Sequence, residues 1–283
     1  MPDNRPLTPQ EVARLVRAAL ATGQSAWTAV VTGPPTTALL GRRVVFIEGV
    51  RRGTLGDGAL DTACSEAFSQ SLAEDPAPSP GRAPLVTAQG EVVEVYLEVH
   101  APTPLMVIVG AGHIAQPLST LGRLLGMKVE VLDDRSEFAT AERFPSADAV
   151  RVIDFRNPFA DTTLAPSSHV VLVTRGHQFD YECLVHLLGM EAPPRYIGMI
   201  GSRRRVRATH EQLQQDGFTP EQMKRVRAPV GLDLGGQTPA EIAVSVAAEI
   251  VMLQAGGSGG PLTDRERVVE RFFENNDANV EGT

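Results

Sequence analysis

Along the first hundred residues, apolar positions recur first at helical and then at strand spacing. Thr8-Pro9-Gln10-Glu11 has the form of a capping box, in which Thr8 caps the first amides, Pro9 sits where its missing N–H costs nothing, and Glu11 reaches back. Val12, Leu15, Val16, Ala19 and Leu20 then share one face, which predicts an amphipathic helix ended by Gly23. Residues 26–32 and 44–48 predict strands, joined by the proline- and threonine-rich stretch 33–41. The glycines of 53–58 predict a turn with positive φ, and residues 59–74 a helix. Residues 75–84 hold four prolines, which fix φ and remove donors, so irregular structure is expected there. A strand over 91–99 follows. The proline-bearing break at 100–104 is taken as a domain boundary.

Beyond that break the pattern changes. The apolar run 105–109 suits a strand buried on both faces, followed by a helix over 114–125 and a strand over 129–132. Strands at 149–153, 170–173 and 196–200 continue the series, with helices such as 181–188 between them. Alternation of this kind predicts a parallel sheet with right-handed crossovers. Thr219-Pro220-Glu221-Gln222 and Thr238-Pro239-Ala240-Glu241 open two later helices. The second carries Ile242, Val244, Val246, Ile250 and Val251 and is expected to be buried. Residues 256–283 are glycine-rich and then charged, and are expected to be a mobile tail with a helix at 264–273. The predicted fold class is α/β: a C-terminal Rossmann-like, doubly wound parallel sheet (101–255) behind a smaller N-terminal α+β domain (1–100).

Composition narrows the function classes. A hydrophobic content of 42% supplies a core for a chain of 283 residues. The formal net charge of -8 argues against a general nucleic-acid binder, which needs a basic surface. Two cysteines, Cys64 and Cys183, fit a reducing cytosol better than a disulfide framework. The polar start lacks the apolar core of a signal peptide, and glycine, charge or proline interrupts every apolar run before it could span a bilayer. A cytoplasmic protein with no membrane partner is expected.

The chemistry concentrates in Gly110-Ala111-Gly112-His113-Ile114-Ala115, the G-x-G-x-x-A form of the dinucleotide fingerprint. Gly110 makes the tight turn, Gly112 lets a pyrophosphate approach the backbone, and Ala115 lets helix pack on strand. The helix start offers free amides and a positive dipole end. Asp133 and Asp134 end the next strand, with Arg135 beside them. That acidic end lies where a ribose hydroxyl is held and repels a 2′-phosphate, which favours NAD-like over NADP-like ligands. A Rossmann fold that has lost its ligand gives the same pattern. His113 faces the phosphates in such a turn, as a donor to them or as a structural cap.

Three other loops fall beyond strand carboxyl ends, where open α/β sheets bind ligands. Thr174-Arg175-Gly176-His177 with Asp180 offers His177 as an acid/base or anion ligand; Asp180 as a helix cap beside an exposed His177 is the alternative. In Gly201-Ser202-Arg203-Arg204-Arg205, Ser202 caps a helix whose basic first turn opposes the dipole, a cost that an anion offsets. A solvated basic face remains open too. The loop 229–239 presents Asp233 among glycines, either towards a ligand or as a plain crossover. No metal-ligand cluster, nucleophile elbow or Walker loop is present in the sequence.

Together these segments resemble the XdhC/CoxI family, accessory proteins of molybdenum hydroxylases such as xanthine dehydrogenase. The likeness runs through VIVGAGHIA, VLDDR, ERFPSADAV, YIGMIGSRRR and APVGLDLGGQTPAEIAVSVAAEI. It implies binding of molybdenum cofactor (molybdopterin) or a nucleotide form of it, and delivery to a molybdenum hydroxylase apo-enzyme. It also implies a cysteine desulfurase as a possible second partner and a homodimer. The N-terminal half departs from the family. Gly53-Thr54-Leu55-Gly56-Asp57-Gly58-Ala59-Leu60-Asp61 aligns with a G-[ST]-I-G-G-G-C-[LV]-E pattern, with Asp57 for a glycine and Ala59 for the cysteine. Thr36-Thr37 likewise replaces a Pro-Arg pair. An alanine is neither a soft metal ligand nor a sulfur nucleophile. The expected function is cofactor carriage without turnover; the competing expectation is an NAD-dependent oxidoreductase with His177 as proton donor.

Overall fold

The computed structural model describes residues 5–33, 38–73 and 81–266. Two sheets organise the chain. The N-terminal sheet is antiparallel, in the order β3-β2-β1-β5-β4, from β1 (Ala26–Val31), β2 (Arg43–Ile47), β3 (Val50–Thr54), β4 (Gly81–Val86) and β5 (Val92–His100). Helix α1 (Pro9–Ala21) has the expected capping box at Thr8 and Glu11 and packs Ala19 with Leu7, Ala26 and Val45. On the other face, α2 (Gly58–Ala73) sets Leu60, Cys64 and Phe68 against Trp27, Phe46 and Val95.

Two strands here escape the sequence reading. Gly53 lies inside β3, paired with Val44. Its φ of 88° and the approach of Leu7 and of the Arg43 carbonyl to within 2.9 Å of a would-be Cβ leave room for glycine alone. Pro84 lies inside β4, opposite Glu94. As β4 is an edge strand, the missing N–H needs no ladder partner. Residues 74–80, Thr36-Thr37 and most of the expected tail, residues 267–283, lie outside the described residues.

The C-terminal sheet is parallel, in the order β11-β10-β9-β6-β7-β8. Its strands are β6 (Leu105–Val109), β7 (Lys128–Asp133), β8 (Ala149–Val152), β9 (His169–Leu172), β10 (Tyr196–Met199) and the two-residue β11 (Val226–Arg227). Alternation along β6 builds two cores. Met106 and Ile108 meet α3 (Ala115–Leu124) and α7 (Pro239–Ala255) on one face. Val107 and Val109 meet α4 (His177–Leu188) and α5 (Arg203–Gln215) on the other. Each fully buried aliphatic side chain contributes about 1.5–3 kcal/mol of burial free energy. Both α7 and the short α6 (Pro220–Met223) open with the predicted capping boxes. Helix α7 is not wholly buried: Ala243, Val246 and Ile250 face inward, while Val244 and Val251 face solvent. Helix α4 starts at His177, four residues before its expected start. The last described element is α8 (Leu262–Glu266). Among the described residues, no helix is long and apolar enough to cross a membrane.

Strand order reverses between β6 and β9: the chain steps outward through β7 and β8, then returns to the far side of β6. The turns after β6 and β9 therefore diverge from one point, where such sheets bind ligands.

Candidate nucleotide and cofactor site

Gly110 holds the two diverging turns together. Its φ is 108°, and a Cβ there would lie 2.5 Å from the Val173 carbonyl oxygen and 3.1 Å from Thr174 Cα. Gly112, by contrast, has no atom within 4 Å of a would-be Cβ. The amides of Gly112, His113 and Ile114 donate no backbone hydrogen bond to the described residues, and Ile114 caps α3 without a side-chain partner. His113 is exposed. Among the described residues, the middle of the fingerprint is thus left uncovered.

The acidic end of β7 behaves differently from the sequence expectation. Asp133 is buried, and its carboxylate accepts the Ala111 amide at 2.7 Å, the Arg135 amide at 3.0 Å and the Arg135 Nε at 2.9 Å. Asp134 is held by Arg175, whose Nη1 and Nη2 donate at 2.5 and 2.7 Å. The carboxylates expected to greet a ribose are already engaged. The cause is tertiary: Arg175 comes from the turn after β9 and reaches across the end of β6.

Burial alone would raise the Asp133 carboxyl, but hydrogen bonds from Arg135 and the Ala111 amide outweigh it and hold the group at about 2, against an ordinary 3.8. A folded pKa below the unfolded one gives stability that is complete above pH 3.8 and lost as pH falls towards 2, about 2 kcal/mol in all. Denaturant titrations of Asp133→Asn between pH 5 and 2 should show that component gone. A wild-type slope that survives the substitution would refute the assignment. His169, buried and pushed down to about 4, acts in a higher window, between 6.5 and 4.

Thr174 is buried; its Oγ1 lies 2.7 Å from Asp180 Oδ1 and 2.8 Å from Arg205 Nη2. Asp180 is fully buried and forms an ion pair with Arg205, whose Nε donates at 2.6 Å. Burial pushes the Asp180 carboxyl up, against the pull of Thr174 and Arg205. The predicted basic helix start therefore splits. Ser202 caps α5 by accepting the Arg205 amide, and the Gly201 position packs on the Arg205 side chain. Arg205 turns inward to Asp180, while Arg203 is exposed. His177 is exposed at the start of α4; its ring makes no hydrogen bond with the described residues, and the buried Asp180 is the carboxylate near enough to act on it.

Asp233 is also exposed, and it makes no side-chain hydrogen bond or ion pair with the described residues. Its loop is tied to α7 instead, through Gly231 N to Glu249 Oε2 at 3.2 Å and Leu232 N to the Ser245 carbonyl at 3.2 Å.

Sequence reasoning missed Arg143. Its Nη2 donates to the Ala111 carbonyl at 3.3 Å, its guanidinium lies 4.9 Å from the Phe138 ring centre, and its Nε is buried without a partner. The sole sequence signal is its place in ERFPSADAV, because a contact across 32 residues leaves no local pattern.

In the N-terminal half, Asp57 fills the position of the missing glycine. Its carboxylate accepts the Ala59 and Leu60 amides at the start of α2 and the Ala88 amide at 3.3 Å. Cys64 is buried in the core, and burial, with Asp61 nearby, pushes its thiol up to about 12. Cys183 is also buried, and burial likewise pushes its thiol well up. Neither thiol stands in for the family cysteine as a nucleophile.

The family model described as the XdhC Rossmann domain matches residues 106–250, just over half of the chain. The chain belongs to the XdhC family. It is 32% identical over 225 residues to the uncharacterized protein YqeB of Escherichia coli (strain K12), a match covering 77% of this chain and 41% of that one. It is 29% identical over 161 residues to a probable xanthine dehydrogenase subunit of Bacillus subtilis (strain 168), covering 57% of this chain and 46% of the relative. The chain thus spans less than half the length of these curated relatives. A crystal structure described as a xanthine dehydrogenase from Bacillus halodurans superposes with a TM-score of 0.62 at 26% identity, covering 86% of this chain and 66% of that one. For this XdhC-family chain, the matched region contains the glycine turn, Arg143, Arg175 and Arg205.

Proposed function

We propose that this chain binds molybdenum cofactor, or a nucleotide form of it, at the Gly110–Ile114 turn and delivers it to the apo-form of a molybdenum hydroxylase such as xanthine dehydrogenase. The observation that carries this reading is the open turn at the strand-order reversal: three amides without a partner among the described residues and an uncrowded Gly112, in an XdhC-family chain similar to proteins described as xanthine dehydrogenases. The donor set fits the cofactor's phosphate, with backbone amides at a helix start and guanidiniums around them. When bound, the cofactor supplies metal and redox chemistry to the enzyme that receives it; the residues here hold and orient it. A homodimer and a cytoplasmic location belong to this reading as further proposals. A cysteine desulfurase partner would pass sulfur straight to the bound cofactor, because both thiols of this chain are buried.

The test is to purify the full chain anaerobically from cofactor-producing cells, oxidise it, and measure released pterin fluorescence. Wild type should release pterin, and Gly112→Val should lose at least nine-tenths of it with an unchanged melting temperature. A pterin-free wild type, or a Gly112→Val protein that keeps its pterin, would sink the proposal.

A further inference from the structure

Around the glycine turn, both carboxylates of the Asp133-Asp134 pair are engaged by arginines while several guanidinium donors are left over. Asp133 spends its carboxylate on the Ala111 amide and on Arg135. Asp134 is engaged bidentately by Arg175. A ribose diol at this end of a Rossmann sheet needs a carboxylate that can accept from both hydroxyls; Asp133 accepts four hydrogen bonds already, and Asp134 has each oxygen engaged by Arg175. The guanidiniums have capacity to spare. Arg143 Nε is buried without a partner, and Arg135 Nη1 and Arg175 Nε donate to no described residue.

These arginines are also held in place. Arg135 lies 3.8 Å and Arg143 4.9 Å from the centre of the same Phe138 ring, and Arg175 4.1 Å from that of Phe179. Stacking fixes the planar fork and leaves its edge donors free, at low entropic cost for recognition. The backbone of Ala111 links the set, since its amide binds Asp133 and its carbonyl accepts from Arg143. One further carboxylate, the exposed Glu137, lies close enough to act on Arg175.

We propose that Arg135, Arg143 and Arg175 form a recognition site for a phosphomonoester dianion beside the glycine turn, so that this chain selects ligands ending in a phosphate over those ending in a free ribose diol. The proposal rests on the reading above that the turn holds a phosphate-bearing ligand. It reverses the preference that the Asp133-Asp134 pair suggests when read as sequence alone. A phosphate dianion offers three acceptor oxygens to the unused donors, and Arg175 can reach it through Nε while its Nη1 and Nη2 stay on Asp134 and keep that carboxylate neutralised. Two ligand sources carry this chemistry: the 2′-phosphate of a nucleotide such as NADP, and a pterin with a phosphate-ended side chain.

The experiment is calorimetric titration of the full chain with two matched pairs. The first pair is NADP+ and NAD+. The second is oxidised pterin phosphate, obtained from molybdenum cofactor, and its phosphatase-treated product. At least one phosphorylated member should bind tenfold or more tightly than its partner, and the pair that shows it identifies the source. Arg143→Gln, which breaks no ion pair, should bring that ratio below threefold while leaving the melting temperature and the affinity of the weaker ligand within twofold. Equal or reversed affinities within both pairs overturn the inference and leave the open turn standing. An undiminished ratio in Arg143→Gln also overturns it, assigning the preference elsewhere. Failure of all four ligands to bind brings down the reading of the turn itself, and this inference with it.

Discussion

Gly110→Ala is expected to destabilise the parallel-sheet domain by about 3–5 kcal/mol, a large part of a typical stability of 5–15 kcal/mol. Two independent costs add. A φ of 108° is strained for any residue with a Cβ, by about 1–3 kcal/mol. The new methyl would also meet the Val173 carbonyl oxygen at 2.5 Å and the Thr174 backbone at 3.1 Å, and neither can rotate aside as a flexible side chain does. Relief requires the turns after β6 and β9 to separate, which breaks the contact that defines the site. Gly112→Ala is the control: it meets open space and should change stability by no more than about 1 kcal/mol. Urea denaturation of both variants measures the difference. Equal stabilities would show that the two turns are not in the contact described.

The second large effect concerns Arg205. Removing it as Arg205→Met leaves the fully buried Asp180 carboxylate with Thr174 as its one side-chain hydrogen-bond partner among the described residues, and breaking a buried pair from one side costs about 3–5 kcal/mol. Burial already pushes the Asp180 carboxyl above its ordinary range. Without the guanidinium it should rise further, and the native state would then take up a proton that the unfolded state lacks. Stability of the variant should therefore improve as pH falls from 8 towards 5, the opposite of the Asp133 component. Asp180→Asn in the Arg205→Met background should recover at least half of the loss, since a neutral amide needs no counter-ion. Denaturant midpoints of the two single variants and the double variant across that pH range give the coupling. Strict additivity, or an Arg205→Met protein with a flat pH profile, would mean that Arg205 does not compensate Asp180.

Both predictions concern the same few ångströms, which bears on how the site is built. Arg205 also donates to the Thr174 carbonyl at 3.1 Å, and Thr174 leads the turn that touches Gly110. The helix that looks from its sequence like an anion site thus spends its third arginine on bracing the neighbouring turn. Its exposed Arg203 remains for solvent or a ligand.

The periodicity of the chain was enough to define the alternating elements, the three capping boxes and the glycine turn, because these depend on contacts within about four residues. The two-sided burial of β6 was legible for the same reason: an uninterrupted apolar run has no solvent face to offer. Local rules misplaced Gly53 and Pro84. What admits a glycine with positive φ or a proline into a strand is the neighbouring chain or the lack of one, Leu7 against β3 and the open edge of β4. Which partners the carboxylates at the end of β7 take was decided by the tertiary structure alone. Asp133 and Asp134 read as acceptors until Arg135 folds back and Arg175 arrives from 41 residues away. Charge in a sequence counts residues, whereas a binding site depends on which lone pairs and protons remain once distant partners have taken theirs.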